Sequence, residues 1–290
     1  MLYTIKNDLL HVVIASKGAE LQSIIHTSYG IEYMWGGDAA YWGKKSPVLF
    51  PVVGTLKNNR FHYNGKEYEL PRHGFARDME FAVTEQAEDS ISFTIQSDAT
   101  TVMVYPFFFR FTIQYSLQEY SLQVKYIVNN TGSDEMYFSV GAHPAFKVPL
   151  TDEYDFTDYY LQFEKTENAG RWPLAANGHI EKSGVPYLQN TDIISLKKEL
   201  FYTDALVFKN LSSQFIAIGT GKNEHGIKLS FNGFPYMGIW NAKDANFVCI
   251  EPWYGIADSV DATGKIEEKE GIQKLGDDET FSAAWSVTCF

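Results

Sequence analysis

The sequence lacks the features that would place it in several large protein classes. It has two cysteines in 290 residues, Cys249 and Cys289. That is too few for a disulfide framework and fits a reducing, cytoplasmic setting. It is short of positive charge, with 24 Lys and Arg against 36 Asp and Glu and a net charge of −12, which excludes the basic footprint of a nucleic-acid-binding domain. No run of 18 apolar residues occurs, so no membrane-spanning helix is expected. The opening Met1-Leu2-Tyr3-Thr4-Ile5-Lys6 carries no signal-peptide pattern. GxxxxGK[ST], GxGxxG after a strand, HExxH and CxxC are all missing, and His11, His26, His62, His179 and His225 show no metal-ligand spacing. Nucleotide, nicotinamide and metal chemistry are therefore not expected.

What is present is apolar and aromatic. Hydrophobic residues make up 45% of the chain, with Phe 21, Tyr 18 and Trp 6, which favours strands and supplies rings on which sugars stack. Residues 10–15, 19–26 and 31–35 read as a meander. Asn64-Gly65 between alternating runs marks a type I′ hairpin, with Arg60, His62 and Asn64 on one face and Phe61 and Tyr63 on the other. Residues 107–117 and 121–128 form a long hairpin. Short helices are expected at 98–105, before Pro106, and at 193–200. Residues 150–185 are a polar, turn-rich excursion around one strand. No repeat or linker divides the chain, and about fifteen short strands at regular spacing imply one all-β antiparallel sandwich over residues 1–290.

Two stretches carry the chemistry. Tyr137-Phe138-Ser139-Val140-Gly141-Ala142-His143-Pro144 brings an apolar run to one histidine before a proline. Phe247-Val248-Cys249-Ile250-Glu251-Pro252 brings another to one carboxylate before a proline. Proline biases the preceding residue away from the helical region and donates nothing to a ladder, so each ionisable group is expected at a strand end. Either alone is compatible with a satisfied structural residue. The repetition of the design, with two group types, points to an acid–base couple. Cys249 reads as a small buried hydrophobe. Residues 57–77 hold Lys57, Arg60, Lys66, Arg72 and Arg77 against Glu67 and Glu69, a local positive excess that a solvated face would also explain. Asp204 leads a strand and fits a turn aspartate equally. Gly74 after His73 suits close approach of a ligand to the backbone.

Four segments stand in a family's order: Gly18-Ala19-Glu20-Leu21-Gln22-Ser23, Asn59-Arg60-Phe61 with Arg72-His73-Gly74-Phe75-Ala76-Arg77-Asp78, Gly141-Ala142-His143-Pro144-Ala145-Phe146, and Glu251-Pro252-Trp253-Tyr254-Gly255-Ile256-Ala257-Asp258. With them the chain resembles the aldose 1-epimerase (galactose mutarotase-like) superfamily, and its LacX-like branch most. The resemblance implies a β-supersandwich of two large antiparallel sheets with few short helices, and interconversion of the α and β anomers of a hexose without a cofactor. It implies His143 as acid, Glu251 as base, and Arg60, His73 and Asp204 as sugar-binding groups. It implies a small-molecule sugar as partner, with no nucleic acid or membrane, for a monomer or homodimer. Unperturbed values of about 4.3 for Glu and about 6.5 for His make the carboxylate–imidazolium state reachable near neutrality. His73-Gly74-Phe75-Ala76-Arg77 lacks the further glycine usual in the aldose branch and is similar to the hexose-6-phosphate mutarotase branch. Arg77, with Arg72 or Lys57, would then meet a phosphate, unless it pairs with Asp78 or another surface acid. A sugar-binding protein without turnover on the same fold is the other alternative.

Overall fold

The structure is a computed structural model covering residues 1–290. It contains twenty-two strands, one six-residue α-helix and five short 3-10 segments, and every strand pairing is antiparallel. The fold is thus the all-β one expected. The strands are divided unequally, into a 14-stranded sheet, a four-stranded sheet and two short pairs. No helix is long and apolar enough to cross a membrane.

The large sheet runs from Val140–Gly141 through Phe247–Tyr254, Tyr236–Trp240, Leu206–Lys209 and Tyr159–Arg171. It continues through Phe215–Thr220, Ile227–Ser230, Thr280–Cys289, Ser121–Asn130, Phe109–Gln118 and Ser90–Gln96 to Ala82–Gln86. Along Phe109–Gln118 the inward row is Phe109, Phe111, Ile113, Tyr115 and Leu117, and Leu122, Val124, Tyr126 and Val128 continue it on the paired strand. Period-two alternation puts these on one face, and burying each large side chain is worth roughly 1.5–3 kcal/mol. The face of the four-stranded sheet carrying Leu10, Val12, Ile14, Leu21 and Ile24 joins the same core. The Tyr115 hydroxyl donates to the Ala19 carbonyl (2.7 Å) across the junction.

The helix Ala99–Val104 forms where expected because Asp98 caps it, accepting from the Thr100 and Thr101 N–H groups at 2.8 Å. The Arg60–Tyr63 and Lys66–Glu69 strands pair around Asn64 and Gly65, both at positive φ as a type I′ turn requires. The expected helix at 193–200 is absent. Those residues finish the strand Val185–Ser195 and enter the 3-10 segment Lys198–Phe201. Ile194 and Leu196 are buried while Ile193 is exposed, the two-residue period of a strand rather than the 3.6 of a helix.

One end of the large sheet positions the chemistry. Phe247–Tyr254 pairs continuously with Tyr236–Trp240 on one side. On the other it meets two short strands, Val140–Gly141 opposite Tyr254 and Trp253, and Ala145–Lys147 opposite Cys249 to Phe247. Both share one register, so the lapse between them sets His143 directly opposite Glu251. Ala142 still donates to the Pro252 carbonyl (3.0 Å). The return bond from Pro252, and the corresponding one from Pro144, have no N–H to make them. Glu251 therefore sits inside an eight-residue strand, not at its end as the sequence suggested, and the proline after it is tolerated because it faces the lapse.

Candidate active site

A cavity of about 500 Å³ opens over this lapse. Beneath it runs a row across three strands and the lapse: Val207 opposite Gly238, Gly238 opposite Glu251, and Glu251 opposite His143. Side chains two apart on a strand share a face, so Trp253 joins Glu251 in lining the cavity. The indole lies where Cβ atoms at Gly141 and Gly238 would be, 2.6 and 2.3 Å from it, and any larger residue at either position would displace it.

His143 Nε2 lies 3.3 Å from Glu251 Oε2, with the residues 8% and 2% exposed. Trp42 stacks on the His143 ring at 5.0 Å between centroids, and Trp240 meets it edge-on at 5.6 Å. Two large rings thus hold the imidazole in one orientation. His73 approaches the same ring at 5.9 Å, nearly perpendicular. It enters through a left-handed backbone (φ 68°) followed by Gly74 (φ 70°), where a Cβ would lie 2.4 Å from the Phe50 carbonyl oxygen. Glycine is needed there for the approach of the protein's own chain, not of a ligand.

Gly54 N–H points at His73 Nδ1 (3.1 Å) and Arg72 Nε–H donates to His73 Nε2 (3.2 Å). A neutral imidazole has one acceptor nitrogen, so it accepts one of the two and leaves the other N–H free for a ligand oxygen. Asp204, at the entry to Leu206–Lys209, lines the cavity and also accepts from its neighbour Ala205 N–H (2.7 Å). Arg77 lines it too; its Nη2 donates to the Arg72 carbonyl (2.9 Å), and its Nε is 3.8 Å from Asp78.

Arg60 is not in the cavity. It stands on the solvent face of its hairpin, half exposed, and bonds Glu67 at 2.8 Å across the strand pair. Lys57 is also elsewhere, with its ammonium on the Ala262 carbonyl. The guanidinium groups that line the cavity are those of Arg72 and Arg77. The sequence reading gave no role to Trp42, Trp240, Asn241 or Lys243, all of which line the cavity. Asn241 stands directly after the strand Tyr236–Trp240. Its Nδ2 donates to the Ala245 (3.0 Å) and Phe247 carbonyls, fixing the amide so that Oδ1 remains without a partner.

The sequence profile of the family described as aldose 1-epimerase matches residues 1–282. The chain belongs to the aldose 1-epimerase family. It is 29% identical to the LacX proteins, plasmid and chromosomal, of Lactococcus lactis subsp. lactis, over 99% of each chain. A galactose mutarotase related enzyme from Lactobacillus acidophilus has a solved structure at TM-score 0.95 and 36% identity, covering 100% of this chain and 97% of that one. A galactose mutarotase-like protein from Lactobacillus casei gives 0.92 and 29%, covering both chains fully. Family membership carries a coarse function, that of a sugar epimerase or mutarotase of isomerase type.

In this member of the aldose 1-epimerase family, burial sets the charge state of the pair. Desolvation pushes His143 down to about 3, helped by the Arg72 and Arg77 charges. It pushes Glu251 well above the usual carboxylate range; Arg72 pulls the other way, and Asp204 adds to the rise. His73 is held well below the ordinary histidine value by burial and then by Arg72. Both shifts favour neutral imidazole and carboxylic acid over the imidazolium and carboxylate that unperturbed values suggest. The two groups share one proton in either form. Four of the seven buried polar side-chain atoms without a partner line this cavity, on Arg77, His143, Asn241 and Trp253. Unpaired buried polar atoms are costly, and their concentration here marks a surface awaiting a polar ligand.

Proposed function

We propose that the protein interconverts the α and β anomers of a hexose, with His143 and Glu251 as the acid–base pair and His73, Arg72 and Asp204 holding the sugar. The observation that carries this reading is the facing of the pair, 3.3 Å apart in one cavity wall. As carboxylate, Glu251 takes the proton of the anomeric hydroxyl while His143 as imidazolium gives one to the ring oxygen, and the bond from C1 to that oxygen breaks. The aldehyde rotates about C1–C2 and the roles reverse to close the ring on its other face. Ring opening leaves Glu251 protonated and His143 neutral, the pattern burial favours, so the site is matched to the open-chain stage. The ionic form that starts the cycle is helped by Arg72 acting on the carboxylate. His73 and Arg72 steady oxygen as negative charge develops. Residues 1–290 act as one domain in this reading, since one core cluster joins Ile5 to Val287.

A second substrate class has its own observation. Arg72, Arg77 and Lys243 line the cavity with Asp204 and the largely neutral Glu251, a positive wall in a protein of net charge −12. A hexose phosphate fits that wall. Saturation-transfer NMR on glucose, galactose and their 6-phosphates tests both readings. Exchange above the spontaneous rate, lost in Glu251→Gln, supports the mechanism, and preference for the phosphates, lost in Arg77→Ala, supports the second class. Sugar binding without enhanced exchange for any substrate would overturn the catalytic reading in favour of a binding protein.

A further inference from the structure

Cys249, two residues before Glu251 on the same strand and so on the same face, is not used by the mechanism above. A ring nitrogen of His143, the Cys249 sulfur and a Glu251 carboxylate oxygen lie within 4.8 Å of one another, all three residues buried. The geometry points to a reversible binding site for a soft divalent cation of the zinc class at His143, Cys249 and Glu251, where the ion displaces the shared proton and stops anomerisation. Only the effect on rate rests on the acid–base reading; ion binding does not.

The donor set is one nitrogen, one sulfur and one oxygen, the types zinc prefers at bond lengths of about 2.0–2.3 Å. Such bonds put tetrahedral neighbours about 3.3–3.6 Å apart, and His143 Nε2 and Glu251 Oε2 already stand at 3.3 Å. Across the ladders Cys249 faces the Ala145 methyl on one side and Trp240 on the other, within an apolar cluster that includes Trp35, Ala242, Ala245 and Phe247, and a shift of the thiol toward His143 and Glu251 closes the set. The fourth position opens to the cavity that His143 and Glu251 line, which is also the route of entry.

The exchange keeps the buried charge balanced. Burial pushes the Cys249 thiol well above its ordinary value, with Glu251 adding to the rise, because an isolated thiolate there would be uncompensated. When the cation enters, the thiol proton and the one proton of the His143–Glu251 pair leave to solvent. One thiolate and one carboxylate then balance a dication, so the buried net charge is zero before and after. Two released protons make affinity climb steeply with pH. His143 Nδ1 has no hydrogen-bond partner, so the ion lacks the outer partner that usually supports a histidine ligand. That makes the site reversible, not one for a resident cofactor.

The test uses the full chain with Zn²⁺ for inhibition and calorimetry, and Co²⁺ as the spectroscopic probe. Wild type should bind one ion with release of about two protons and show a thiolate-to-cobalt charge-transfer band. Its anomer exchange should fall with added Zn²⁺ and return with EDTA or excess sugar. Cys249→Ala should keep the metal-free exchange rate, lose the band, and need more than about tenfold as much Zn²⁺ for the same inhibition, since even loss of an outer-shell partner costs that much. Cys249→Val serves if the smaller side chain fails to fold. Equal inhibition of wild type and variants, or no thiolate band with wild type, would overturn the proposal. If wild type shows no anomer exchange at all, the functional reading fails while the Co²⁺ band still decides this one.

Discussion

Two buried pairs of ionisable groups, one containing Glu251 and the other Asp258 on the same stretch of chain, are built to opposite ends. Lys269 donates to Asp258 Oδ1 (2.7 Å) and to the Ile256 carbonyl (2.6 Å), and Asp258 Oδ2 accepts from Lys57 N–H (2.8 Å). That pair is closed by the protein itself and ties the segment after Glu251 to the 3-10 segment Lys57–Asn59. In the His143–Glu251 pair the polar atoms nearby are left open: His143 Nδ1 and Trp253 Nε1 have no partner. The first pair is paired and hydrogen-bonded, as structural buried charge must be. The second keeps its capacity free, and that, more than burial or charge alone, separates a working site from a fastening.

The sharpest test of this contrast is Glu251→Gln. Anomer exchange should drop by about 10²–10⁴, the usual worth of general acid–base catalysis, with little change in unfolding by denaturant. The folded value of Glu251 lies above its unfolded value near 4.5, so its carboxyl favours the fold below that pH and loses that contribution as pH rises. An amide does not ionise, and at neutral pH the variant should be no less stable than wild type. Lys269→Met should do the reverse. It leaves a buried carboxylate uncompensated and should cost about 3–5 kcal/mol in denaturant unfolding, while the molecules that remain folded still exchange anomers. If Glu251→Gln unfolds the protein and Lys269→Met does not, the contrast is broken.

The pH–rate profile sharpens it further. The pair works with one proton. A second proton must go on His143, whose value is pushed down to about 3, so exchange should persist as pH falls through 6.5. The single proton is lost on the alkaline side, at a position set by the raised Glu251 value. An acid limb centred near 6.5 would mean that His143 titrates as an exposed imidazole. Trp42→Ala removes one face of the ring's enclosure, a contact worth about 0.5–1.5 kcal/mol. It should move the acid limb upward as water reaches the imidazole, with a moderate loss of rate. The smallest effect is expected for Arg60→Ala: kcat/KM unchanged and stability altered by less than about 1 kcal/mol, since its bond to Glu67 is exposed.

The halves of the pair were legible because the signal was local: an apolar run, one ionisable residue, then proline. What those prolines do together was not. Each deletes one donor from the same ladder, and only the register puts the two deletions side by side. Arg60 was carried over from the resemblance on the short run Asn59-Arg60-Phe61, which does not say which way the hairpin turns in the molecule; its face meets solvent and Arg60 bonds Glu67. The helix expected at 193–200 failed because Ile193, Ile194 and Leu196 satisfy both periods over so short a window, and pairing with Tyr159–Arg171 decided for the strand. Trp42, Asn241 and Lys243 come from loops, whose positions depend on the sheet beneath them.

The row Val207, Gly238, Glu251, His143 has a consequence for how the chain reaches its native state. Gly238 and Glu251 belong to consecutive paired strands, but His143 joins them from more than a hundred residues away in the chain. Loop-closure entropy must be spent before such contacts give anything back, so no early local nucleus contains the site. During refolding, fluorescence from the aromatic hairpin core should recover ahead of catalysis, and turnover becomes the last observable to return, a reporter that the whole sheet has closed.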